Sequence, residues 1–145
     1  MDEDSDREDE IIQRFGLHPA EEDLDAIRAI ITGQVMLGLD AHIELMRICC
    51  VMLFNAGHAT DSLLIWRAKE SGWDAHCSID VQLLCGAGLS QTTAYLEAEA
   101  NREPEAAEAL TYLSDCAQPG VDFDGFTPAA RSALYDRYYL PDSAG

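Results

Sequence analysis

Several residues in this sequence have types and spacings that invite chemistry. His76-Cys77, with Asp74 and Asp80 nearby, offers metal-ligand types. Adjacent residues on a helix point about 100° apart, however, and the chain has neither a Cys-x2-Cys nor a His-x3-His pair of the kind that holds zinc. Cys49-Cys50 has the same problem. Gly120–Arg131 places Asp122, Asp124 and Gly125 at the third, fifth and sixth positions of a calcium-loop template. Its ends carry Gly120 where an aspartate is needed and Arg131 where a bidentate glutamate is needed, so the stretch reads as a hydrated acidic loop. No metal is expected.

Nucleophilic catalysis needs a nucleophile, a base and an orienting group. The chain has no Gly-x-Ser-x-Gly elbow, and Cys85-Gly-Ala-Gly88 lacks the lysine that a phosphate-binding loop would supply. His42 and His58 lie near Cys49 in sequence, but helical spacing puts His42 two turns from it, too far for proton transfer. No carboxylate pair stands out from the general acidity. The expectation is therefore a protein without catalytic residues or a cofactor. Aromatic residues beside charge are more suggestive. Trp73 follows Gly72 and precedes Asp74, while Tyr135, Tyr138 and Tyr139 bracket Asp136 and Arg137. Such groups serve either as interface anchors or in docking a terminal helix on its own domain.

Charge narrows the partner class. The 145 residues hold 9 Lys and Arg against 27 Asp and Glu, a formal net charge of -18. Phosphate backbones and anionic membranes are bound by clustered Lys and Arg, so neither nucleic acid nor membrane is expected as a partner. Residues 2–10 contain seven acids and one base, and the rest of the chain remains strongly acidic. A block of like charge repels itself, so residues 1–10 are expected as a disordered acidic tail and 11–145 as a single domain. The acidic start lacks the basic region of a secretory signal, and the most apolar stretch, Ile43–Phe54, contains Glu44 and Arg47 and is too short to span a bilayer. Five cysteines, an odd number without framework spacing, read as reduced structural thiols in a cytoplasmic protein.

The positioning elements read as helices. Apolar residues recur at helical spacing from Leu24 to Gly33, through about 35–55, and in segments opening near Thr60, Asp74 or Ser78, Ser90, Pro104 and Thr127. The 35–55 segment is apolar all round after Arg47, as a buried central helix is. Arg47 must then reach the surface by its stem or pair with an acid such as Glu44. Strand alternation is absent. The expected fold is all-α: a compact bundle of about seven short helices, in irregular hairpins around the 35–55 helix.

Leu53-Phe-Asn-Ala-Gly57 and Leu84-Cys-Gly-Ala-Gly88 align at an offset of 31 residues. Asp124-Gly-Phe-Thr-Pro128 resembles the turn-plus-helix opening of an ankyrin repeat, without the Leu-His that follows there. A single copy makes no array, so we read the likeness as shared capping chemistry.

With no catalytic constellation and dense acid, the leading expectation is a non-enzymatic domain that binds a basic protein. An immunity protein or antitoxin that neutralises a basic toxin fits best, since acid steers fast association and mimics phosphate. The candidate partner-binding residues are Trp73, Asp74, Asp80, Asp122, Asp124, Asp136, Tyr138 and Tyr139. The alternatives are an adaptor or scaffold of helical hairpins that recognises a peptide, and an enzyme or small-molecule binder with a pocket against the 35–55 helix.

Overall fold

A computed structural model describes residues 3–140. Among them the chain is all-α, with eight α-helices, four short 3-10 turns and no strand. The helices are α1 (Glu3–Phe15), α2 (Leu24–Leu37), α3 (Ile43–Ala56), α4 (Ser62–Lys69), α5 (Trp73–Ser78), α6 (Leu89–Glu99), α7 (Pro104–Cys116) and α8 (Pro128–Tyr139).

Helix α3 is the centre. Leu45, Met46 and every residue from Ile48 to Phe54 are buried, and α1, α2, α5 and α8 all pack against this helix. The all-round apolar stretch is therefore the core, as its composition requires. Its bounds differ from the expected 35–55. Helix α2 runs straight through Gly33, where a Cβ would meet no atom within 4 Å. A glycine there costs only helix propensity, which burial of Ile27 and Ile31 on the same helix outweighs. The chain reverses instead at Gly38, whose φ of +57° disfavours any side chain. Helix α3 ends where expected, at Gly57, whose left-handed backbone lets its N–H reach the carbonyls of Leu53 and Phe54.

Helix α1 begins at Glu3, inside the stretch expected as a disordered tail; Met1 and Asp2 lie outside the described residues. Ile11 and Phe15 bury one face of it, and Glu8 bonds His42 at 3.0 Å. A single apolar stripe thus carries the acidic turns before it into the helix. Some helix starts also shift. A 3-10 turn over Ala59–Asp61 precedes α4, and α6 starts at Leu89 from Gly88, so neither Thr60 nor Ser90 caps its helix. The residues expected as a short helix near 79–84 form a 3-10 turn, Val81–Cys85, behind α5. Thr127 does cap α8: its hydroxyl accepts the Ala130 N–H at 3.1 Å, with Pro128 at the first helical position.

The two similar turns ending in Gly57 and Gly88 pack on each other. A Cβ on Gly86 would lie 2.3 Å from the Phe54 carbonyl oxygen, so only glycine fits. Arg28 of α2 grips Asp61 through two bonds, at 2.8 and 2.9 Å, and ties α2 to the start of α4.

Candidate functional site

Two polar regions collect the aromatic and acidic residues of the chain, and they are built differently. The first lies where α8 crosses α3. Arg47 of α3 donates to the Tyr139 hydroxyl at 2.5 Å, and that hydroxyl donates to Glu44 at 2.7 Å. The guanidinium lies 3.5 Å from Glu44 and 3.7 Å from Asp80. Tyr135, itself buried, donates to Asp80 at 2.5 Å. The rings of Tyr135, Tyr138 and Tyr139 surround the guanidinium at 5.5, 5.3 and 5.6 Å. Arg47 therefore pairs with Glu44, as the sequence allowed, and gathers four further residues around it.

The electrostatics are those of a partly buried site. Burial pushes the Tyr139 and Tyr135 hydroxyls above their usual range, and the carboxylates that accept from them, Glu44 and Asp80, push the same way. Burial opposes the charge on Arg47, but the Tyr139, Glu44 and Asp80 oxygens outweigh it and hold the guanidinium above its usual range. At the outer edge of the same helix, Asp136 meets His18 at 2.9 Å. This hub docks the C-terminal helix.

The second region is a groove of about 520 Å³ between α4 and α7. The buried Trp66 and half-buried Tyr112 form its floor, and the exposed Glu70, Ala107, Glu108, Thr111 and Asp115 its rim. The helical repeat places Glu108, Tyr112 and Asp115 on one face of α7, with the two acids two turns and about 10 Å apart. Glu70 takes the His76 ring nitrogen at 2.6 Å. Neither Glu108 nor Asp115 meets a cation among the described residues. A row of rings leads from this floor to the surface. Tyr112 packs against Trp66 at 5.4 Å and against His76 at 5.6 Å, and His76 stacks on Trp73, which is 76% exposed.

Lys69, the one lysine of the chain, sits behind the floor. It is buried, and its ammonium donates to the His76 and Ile79 carbonyls at 2.6 and 2.5 Å rather than to a carboxylate. Burial pulls its pKa below the ordinary range, against the pull of Asp80 and Glu70. It is a staple between α4 and the end of α5, bonded to carbonyls rather than to the groove acids.

The structure separates the eight candidate residues. Trp73 and Asp74 are exposed together at the start of α5, and Tyr138 is exposed on α8. Tyr139 and Asp80 are engaged inside the hub, and Asp136 is bonded to His18. Asp122 lies beside the Cys116 thiol, which burial and this carboxylate push upward. Asp124 lines a cleft of about 190 Å³ together with Arg131 and Arg137, with no ion pair to either. Glu108 and Asp115 of the groove were missed. Their signal was available as Glu108, Tyr112 and Asp115 at i, i+4 and i+7 of an expected helix.

Among the described residues no three His, Cys, Asp or Glu side chains gather as metal ligands would, and no helix is long and apolar enough to cross a membrane. Compared with protein-family models, with curated proteins and with solved structures, the chain matches none.

Proposed function

We propose that this chain is a non-enzymatic acidic domain that binds a basic protein, in the manner of an immunity protein or antitoxin that neutralises a toxin. The reading rests on the groove between α4 and α7, where acids flank an aromatic floor and two of them meet no cation of the chain's own. Unmatched carboxylates on a chain of net charge -18 speed the approach of a basic protein, and exposed aromatic rings give it a surface to bury.

The test is the salt response of the native complex. A tagged chain is used to recover its partner from native lysate, with washes at low and then high salt. The expected result is a stoichiometric basic protein released at high salt, because surface charge attraction is screened over about 10 Å at 0.1 M. A partner retained equally at both salt concentrations overturns the reading and points to an adaptor that binds through apolar contact.

A further inference from the structure

The hub shows what this protein's own aromatic and acidic side chains enclose. Around Arg47 stand three tyrosine rings within 5.6 Å and two carboxylates within 3.7 Å. The α4–α7 groove assembles the same side-chain types: the Trp66 and Tyr112 rings, with Glu70, Glu108 and Asp115 at the rim. It differs in its pairing: Glu70 is bonded to His76, the Lys69 ammonium already lies 5.7 Å from the Tyr112 ring, and Glu108 and Asp115, two helical turns apart, meet no cation among the described residues. We propose that the groove receives an arginine-bearing basic segment of the partner protein, whose guanidinium groups meet Glu108 and Asp115 on either side of the Tyr112 ring.

The geometry selects among cations. A single metal ion needs its ligands gathered within about 2.6 Å of one point, whereas Glu108 and Asp115 stand about 10 Å apart along α7. That separation suits two basic side chains spaced two helical turns apart on a partner helix. Arginine is favoured over lysine because its planar group lies on an aromatic face while its N–H fork meets carboxylates. A second copy of this chain is disfavoured as the occupant, since each copy carries a net charge of -18. The inference rests on the basic-partner reading above and adds the surface and the chemistry that the surface recognises.

The probe is a helical peptide of alanine and glutamine with two arginines seven residues apart, capped at both ends, titrated into the full chain by calorimetry at low salt. The test variant is Glu108→Gln with Asp115→Asn. The control variant, Asp6→Asn with Asp9→Asn, removes the same charge from exposed positions on α1. We expect the groove variant to weaken binding at least about tenfold, and the control less than about twofold. Replacing both arginines of the peptide by lysine should also weaken binding. Equal weakening by the two variants overturns the proposal, because it would reflect diffuse attraction. Unchanged affinity in the groove variant overturns it as well.

The native complex separates this proposal from the reading it rests on. If E108Q/D115N still captures a salt-sensitive basic partner as the wild type does, the groove assignment falls and the basic-partner reading stands. If the arginine peptide needs the groove acids but the native partner is indifferent to salt, the groove assignment stands and the reading falls.

Discussion

The Arg47 hub and the α4–α7 groove are made from the same kinds of residue and end in opposite states. In the hub, Glu44 and Asp80 lie within 3.7 Å of a guanidinium, and each also accepts from a tyrosine hydroxyl, Tyr139 and Tyr135 respectively. In the groove, Glu108 and Asp115 meet no cation among the described residues, while the Lys69 ammonium lies 5.7 Å from the Tyr112 ring between them and bonds carbonyls. In the hub an internal arginine paired with acids helps join a terminal helix to the core; in the groove two acids are left without an internal partner. An acidic patch on this protein is thus informative only after its internal cations have been located.

The comparison is broken most severely at Arg47. Its side chain is 16% exposed. Replacing it with methionine leaves Glu44 and Asp80 beside three rings without their cation; both carboxylates are about a third exposed, which screens the loss to about 2 kcal/mol. Urea unfolding should show this loss, with near-UV circular dichroism reporting a changed tyrosine environment in α8. An unchanged midpoint would mean that the hub does not hold the helix. Lys69→Met should cost about 2 kcal/mol, since two carbonyls lose a charged donor, without weakening the arginine peptide. A peptide affinity that falls with it would place Lys69 in the groove's chemistry rather than behind it.

Much of this fold was legible in the sequence. The apolar run from Ile48 to Phe54 identified the core helix, and Thr127-Pro128 and Gly57 placed two helix ends, because capping and burial are local consequences of residue type. The break at Gly38 was not legible. Gly33 and Gly38 look alike in sequence, and the choice depends on which face of α2 the rest of the chain buries. The same holds for the acids. Asp80 and Asp136 stood out because they lie beside aromatic or turn residues, yet they meet Arg47 and His18 once the chain folds. Those pairings span up to 118 residues, and no spacing rule encodes them. By contrast, the Glu108–Tyr112–Asp115 face is local and could have been read from helical periodicity alone.

A smaller effect, of about 1 kcal/mol, is expected at Tyr139→Phe, which removes one hydroxyl from the hub and leaves the ring in place. Its pH dependence sharpens the comparison. Burial, joined by the Glu44 carboxylate, raises the Tyr139 hydroxyl in the folded state above the ordinary tyrosine value of about 10. The group therefore stabilises the fold fully below that pH, and its contribution is lost as pH rises toward the raised folded value. Alkaline unfolding of the wild type, followed by tyrosinate absorbance, should begin above pH about 10. The variant should be less stable at neutral pH and lose less stability across the alkaline range. Parallel curves for the two proteins would show that the hydroxyl does not titrate with unfolding.

The smallest effect on stability, and the one that separates the two regions most directly, is expected at Glu108→Gln with Asp115→Asn. Both side chains are exposed and meet no cation of the chain. Their removal should change unfolding free energy by no more than about 0.5 kcal/mol. The sign should be stabilising, because a chain of net charge -18 gains from losing two like charges. The corresponding change in the hub, Glu44→Gln with Asp80→Asn, should destabilise, since it strips Arg47 of both carboxylates. Thermal melts of the two double variants at low salt therefore test the comparison through the sign of their shifts. Opposite signs agree with an internally matched hub and an unmatched groove. A destabilised groove variant would mean that Glu108 and Asp115 hold the fold as Glu44 and Asp80 do, and that the groove is a second structural cluster rather than a place for a partner.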